Sequence, residues 1–476
     1  MKKILPLLFV ILCMGMCVIP SLGMIVAPTN ETIGNERKTP LPSLQNEDGG
    51  FNSEYLPQMG NYFEKHFALR PRMIDTDARV QSRLFGVSNL DTVTVGKDDR
   101  LYYSSTLDNY LGRNTLSQHE INGIVHNLGL VQEYVESQGS KFLFTVAPNK
   151  NTLYPDGMPY YYGKAASDVH NRDLLTAALR NSGVRYLDLF ELFRSQDEVL
   201  YLKQDSHWNN KGALMVYHAA LDALGKPHDD YSDAEVTRVN DHHGDLAHML
   251  YPASQLTEYD YHYAINETYS YVTPTKSVED ILITTENPSA SGSLYMYRDS
   301  FGNSLLPFFA NAYQNATFTK SKPINVALDN RNGMADTVIF EIVERNIAWF
   351  LETPPVIPSP KRVLNIGETT EGTAQVSADI LEANTQFIAL SATLDSSLCD
   401  DDATVYMRVK TPEGKSDDYE AFTQRCEEDG DSYVVYLPTA DYAGRELEVD
   451  VIVGSGGSFT KVYHTSVDKI LDKISG

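Results

Sequence analysis

The apolar positions change their rhythm three times along the chain. An almost unbroken apolar run covers residues 4–27, directly behind Met1-Lys2-Lys3. Residues 28–50 are polar and rich in Pro, Asn and Gly, which reads as a linker. Residues 62–70 show amphipathic helical spacing that stops before Pro71, and β-rich runs at 93–95 and 101–103 flank a Gly/Asp turn, predicting a hairpin. From there helix and strand patterns alternate. Ile121, Ile124, Val125, Leu128, Val131 and Val135 recur at helical spacing, and 142–146 is a continuous apolar run of the kind buried in a parallel sheet. Residues 168–182 predict a helix, 184–187 and 199–202 strands, 213–221 a helix stopped by Gly225, and 293–297 and 337–340 two more strands. This alternation predicts an α/β fold, a three-layer sandwich around a mainly parallel sheet.

Near residue 353 the rhythm changes again. Pro354-Pro355 and Pro358-Ser359-Pro360 read as a stiff linker. Beyond it, short alternating runs at 387–390, 404–409, 433–437 and 447–453 predict an all-β, sandwich-like domain. The expected organisation is a signal peptide or membrane anchor over 1–27, a catalytic domain over 28–355 and a β-rich accessory domain over 360–476.

Composition narrows the function. A formal charge of −25 argues against nucleic acid as a partner. Two lysines ahead of the apolar run mark an export segment, long enough to remain as an anchor. The body is therefore expected outside the cytoplasm, touching the membrane only through this segment. Cys13 and Cys17 lie in the export segment, so Cys399 and Cys426 form the one candidate disulfide, with two unpaired thiols as the alternative.

Candidate chemistry sits in two stretches, Asp205-Ser206-His207-Trp208-Asn209 and Arg298-Asp299-Ser300-Phe301-Gly302. Together they hold a carboxylate, an imidazole and a hydroxyl, the parts of a nucleophilic acyl-transfer site. Each is expected where a strand ends and a helix begins, the edge at which open α/β sheets bind ligands. Ser300 would stand on a strand-to-helix turn, with the N–H groups of Ser300, Phe301 and Gly302 free to donate to an oxyanion. His207 would act as base and Asp205 as its orienter, an extended i, i+2 pair bringing both side chains to one face. Asn209 or Asn210 would cap the next helix. His242-His243 with Asp245 and His248 fits no zinc template and reads as a surface loop. No metal and no cofactor are expected.

These motifs, with Phe63 to Arg70, Val93-Thr94-Val95-Gly96-Lys97-Asp98, Ala147-Pro148-Asn149-Lys150 and Tyr154-Pro155, Gly244-Asp245-Leu246 and Glu341-Ile342-Val343-Glu344-Arg345-Asn346, give a chain that resembles the alginate O-acetyltransferase proteins. It is similar within that group to the exported DHHW proteins of Gram-positive bacteria, a branch of the SGNH-hydrolase-like superfamily. The resemblance implies Ser300 as nucleophile, His207 as base and Asp205 as orienter, in a circularly permuted order with Ser last. It also implies O-acetylation of a cell-envelope or secreted polysaccharide, with the acyl donor supplied through a membrane-bound O-acyltransferase. One departure is Ser206, where the DHHW motif has His. Asn149 and Lys150 are candidates for the acceptor wall, and Gly302 and Arg298 for substrate or oxyanion contact. Two other readings remain open: a carbohydrate esterase using the same triad, and a silent glycan-binding envelope protein.

Overall fold

The computed structural model describes residues 4–26, 39–46, 48–162, 167–382, 384–425 and 430–468. Its centre is a seven-stranded sheet in the order Tyr186–Leu187, Lys141–Ala147, Thr337–Val343, Ser293–Tyr297, Asn315–Thr319, Leu282–Glu286, Ser270–Tyr271. The first five run parallel; Leu282–Glu286 pairs antiparallel with Asn315–Thr319, and Ser270–Tyr271 pairs antiparallel with Leu282–Glu286. Side chains alternate across the pleat, so the two faces feed two cores. Phe142, Phe144, Val146, Val338, Phe340 and Ile342 pack with the helices Gln118–Ser137 and Asn171–Asn181. Leu143, Ala147, Ile339 and Val343 pack with Leu189–Arg194, Asn210–Leu224 and Leu306–Ala312. This is the expected three-layer α/β sandwich. Continuous apolar runs are needed because both faces are covered.

The C-terminal region is all-β. A six-stranded and a four-stranded sheet enclose Ile388, Leu390, Val405, Met407, Val435 and Val451. The outer face of the smaller sheet is apolar as well: Phe387, Val434 and Tyr436 join the core beneath the Gln118–Ser137 helix. The proline segment, expected as a stiff linker, is also a packed seam. Val356 and Ile357 are buried, Val356 N–H donates to Ile324 O (2.8 Å), and Ser359 N–H donates to Tyr436 O (3.1 Å).

Two local expectations are corrected and one is left outside the described residues. The helix expected over 62–70 ends at His66; Leu69, at φ 65°, caps a new helix Arg70–Phe85 that contains Pro71. Proline is tolerated there because first-turn N–H groups lack helical partners anyway. Residues 199–202 form only a single bridge, Tyr201 to Trp208. Cys426 lies outside the described residues, and with it the Cys399 pairing. The Ile4–Val26 helix is long and apolar enough to cross a membrane.

Candidate active site

The Asp205 motif closes on itself before the Asn210–Leu224 helix. Leu202 N–H donates to His207 O (3.1 Å), and Asn209 Oδ1 caps the helix by accepting from Gly212 N–H (2.9 Å). The Asp205/His207 pair is not extended as expected. His207 N–H donates to Asp205 Oδ1 (2.9 Å), folding the loop so that His207 Nδ1 reaches the same oxygen at 2.7 Å. The Ser300 motif follows the Ser293–Tyr297 strand and enters a short 3₁₀ turn, Phe301–Asn303. Asp299 pins that turn: Oδ1 accepts from Phe301 N–H (2.9 Å) and Oδ2 from Val343 N–H (2.7 Å) on the neighbouring strand.

The residues next to His207 and Ser300 lock the two motifs together. Trp208 is buried, stacks on Phe193, meets the Phe301 ring edge-on (centroids 4.9 Å) and donates Nε1–H to Ser304 Oγ (2.7 Å). The outcome is that Ser300 Oγ lies 2.8 Å from His207 Nε2. An ionised Asp205 can only accept, so Nδ1 carries the imidazole proton and Nε2 is left to accept from the Ser300 hydroxyl.

Charges around the base favour its protonated form. Burial pushes the His207 pKa down, but Asp205, Asp245 and Asp299 outweigh it and the net direction is up. Burial likewise pushes Asp205 up, yet His207 and His242 hold it well below the usual carboxylate range. Asp245 is raised by burial and by Asp205.

The loop read as surface is part of this network. His242, at the end of the Val236–His242 strand, brings Nε2 to 2.9 Å from Asp205 Oδ2, and Asp245 N–H donates to the same oxygen (3.0 Å). Asp245 in turn accepts from Ser206 N–H (2.8 Å) and Ser206 Oγ–H (2.6 Å). Asp205, His207 and Asp245 have ligand-type atoms within 4.8 Å of one another. Because Asp205 Oδ1 and His207 Nδ1 already share a proton, the cluster is read as a proton network.

The remaining candidates divide. Among the described residues, nothing accepts from the N–H groups of Ser300 and Gly302; Phe301 N–H, expected free, is taken by Asp299. Asn149 follows the Lys141–Ala147 strand at the same sheet end. Its N–H donates to Glu344 Oε2 (2.9 Å), and its buried side-chain amide has no partner among the described residues. Lys150 is a brace, not the acceptor wall expected: its buried Nζ donates to the carbonyls of Leu101 (2.7 Å), Lys203 (2.8 Å) and Asp205 (2.9 Å). Burial pushes that amine down to about 7. Arg298 is also tied into the scaffold, to Val278 O (2.8 Å), Asp299 O (3.2 Å) and Asn303.

None of the curated proteins compared matches the chain. Solved structures similar to it include Bacillus cereus PatB1 with a sulfonyl adduct, at 17% identity and a TM-score of 0.43, over 55% of this chain and 96% of that one. A DHHW family protein from Eubacterium siraeum is 15% identical (TM-score 0.39; 47% and 85% covered). Pseudomonas aeruginosa AlgX is 14% identical (TM-score 0.38; 78% and 92% covered). The sequence model of one family, described as the SGNH hydrolase-like domain of acetyltransferase AlgX, matches residues 93–295, a stretch that includes Asp205 and His207 and stops before Ser300. Over that stretch the chain is similar to the SGNH hydrolase-like domain of the acetyltransferase AlgX.

Proposed function

We propose that the chain is an extracytoplasmic O-acyltransferase that moves acetyl groups onto a cell-envelope or secreted polysaccharide. The observation that carries this reading is the continuous hydrogen-bond line from Ser300 Oγ through His207 to Asp205, at 2.8 and 2.7 Å. Ser300 Oγ attacks the acyl carbonyl of a donor delivered by a membrane-bound O-acyltransferase, while its proton passes to His207 Nε2. Asp205 stabilises the resulting imidazolium. The carbonyl oxygen becomes an oxyanion that accepts from the Ser300 and Gly302 N–H groups and from the Asn149 amide. The intermediate expels the donor's leaving oxygen, which takes the proton from Nε2, and an acyl-serine remains. A sugar hydroxyl then gives its proton to Nε2 and attacks the ester. Collapse releases Ser300 Oγ, which recovers the proton, and leaves the O-acylated sugar.

A hydroxyl-directed sulfonyl fluoride and an activated acetyl ester test the reading. The expected results are an adduct on the peptide carrying Ser300, and acetyl transferred to an added oligosaccharide. Both should vanish in Ser300→Ala. Acetate release without transfer would make the chain an esterase, and equal labelling of the Ala variant would refute the triad.

A further inference from the structure

The reaction above uses one oxygen of Asp205; the other is held just as firmly by a residue with no part in it. Asp205 is 4% exposed and its carboxylate accepts four hydrogen bonds. Oδ1 takes His207 N–H and Nδ1; Oδ2 takes His242 Nε2 (2.9 Å) and Asp245 N–H (3.0 Å). We propose that His242 is a positioning residue for acyl transfer: by donating Nε2–H to Asp205 Oδ2 it stops the carboxylate from rotating and keeps Oδ1 aimed at His207. This inference rests on the triad reading given above.

Three observations support it. An ionised carboxylate offers only acceptors, so His242 Nε2 must bear a proton, and the tautomer is fixed as firmly as that of His207. His242 does not arrive by chance of a loop. It closes the Val236–His242 strand opposite Glu258, across a register shift between Asn240 and His242, and such bulges re-aim side chains. Its other nitrogen, Nδ1, lies 3.9 Å from Asp260 Oδ2, too far for a hydrogen bond but close enough to stabilise a charge.

The titratable groups around it are Asp205 and His207 on the catalytic loop, Glu258 and Asp260 on the partner strand, Asp245 and His243 on its own turn, and Lys150 behind Asp205. Burial pushes His242 down, but Asp205, Asp260 and Glu258 outweigh it, and its pKa moves up. A cationic His242 beside Asp205 makes His207 less basic.

The test uses the full chain, with single-turnover acylation by p-nitrophenyl acetate followed across pH. His242→Ala should slow acylation about tenfold to a hundredfold, the factor that losing a hydrogen bond to a charged group commands. His242→Gln, which can donate to Oδ2 but cannot titrate, should restore most of that rate. Its acid limb should move to higher pH, because the cation that opposed His207 protonation is gone. An unchanged rate in the Ala variant would overturn the proposal, as would a Gln variant as slow as Ala with an unmoved pH profile. Ser300→Ala is run alongside. If it still acylates, the triad reading has failed; if it is dead while His242→Ala is normal, only the positioning role has failed.

Discussion

Asp205→Asn should separate a charge effect from a simple loss of fit. All four partners of the carboxylate are donors: two backbone N–H groups and two imidazole nitrogens. Asparagine offers one acceptor oxygen, so whichever way it turns, its NH₂ faces two donors. The negative charge is lost in both orientations. A contact ion pair at the effective dielectric of such a site is worth about 4 kcal/mol, or roughly three decades in the rate of a step that forms imidazolium. If NH₂ turns toward His207, Nδ1 must accept, the proton moves to Nε2, and the loss approaches about four decades. Stopped-flow measurement of the p-nitrophenolate burst gives the acylation rate, and urea unfolding checks that the variant is folded. With the carboxylate gone, burial acts on His207 without its main opponent, so whatever activity remains should show an acid limb at lower pH. A folded variant acylating within about tenfold of the parent would refute the role given to Asp205.

Other outcomes follow from the same geometry. Because His207 is raised above 6.5, the protonated, unreactive base persists to higher pH; the acid limb of kcat/KM should lie above 6.5, and any stability this group adds is lost as pH rises through the raised value. Glu341 is fully buried, and burial and then Asp299 push its pKa well above the usual range, so its contribution to stability is lost as pH rises above about 4.5. Glu341→Gln should fold normally and flatten that loss in urea titrations at several pH values. Gly244→Ala would set a Cβ 2.6 Å from the Gln204 carbonyl carbon and 3.1 Å from Asp205 N, backbone atoms that cannot step aside. It should cost about 1–3 kcal/mol in urea unfolding and slow acylation by moving Asp205.

Four strands of the sheet, Lys141–Ala147, Tyr186–Leu187, Ser293–Tyr297 and Thr337–Val343, were legible because their signal is local; the more polar Asn315–Thr319, Leu282–Glu286 and Ser270–Tyr271 were not. An apolar run such as 142–146 has one stable use, burial on both faces, and the parity of its residues already assigns them to the two cores. Ser300 and His207 were legible by residue type, since a strand ending in Asp-Ser-x-Gly and a loop holding Asp-x-His are chemical statements in themselves. His242 was not. Its clustering with His243 and Asp245 was visible, but its distance from Asp205 depends on a strand pairing and a bulge that no local spacing encodes. Lys150 was misjudged for a similar reason: a lysine at a sheet end looks like a substrate contact until three carbonyls from other segments surround it. The proline seam carried a missed clue, the apolar pair Val356-Ile357 between prolines, which an exposed linker would not need.

The surroundings of the base raise a difficulty that Asn149 is suited to answer. Asp205, Asp245 and Asp299 all favour the imidazolium, and the same negative field opposes an oxyanion forming a bond length from Ser300. Burial, and after it Asp299, push the Glu341 pKa up, which disfavours one further charge beside the site. What remains must come from donors. In the proposed mechanism the N–H groups of Ser300 and Gly302 are two, and the Asn149 amide would be the third, just beyond a strand end whose Ala147 pairs with Val343, the residue that Asp299 grips. Both polar atoms of that amide are buried without partners among the described residues, an arrangement that costs stability unless a ligand uses it. Asn149→Ala should therefore cut acylation by about 10²–10³ in kcat with little change in KM, the loss expected for one oxyanion donor. It should leave urea stability unchanged or slightly higher, because no protein hydrogen bond to the side chain is broken. A variant that is clearly less stable yet acylates normally would show the amide to be scaffold, and the oxyanion would then have to be held by backbone donors alone.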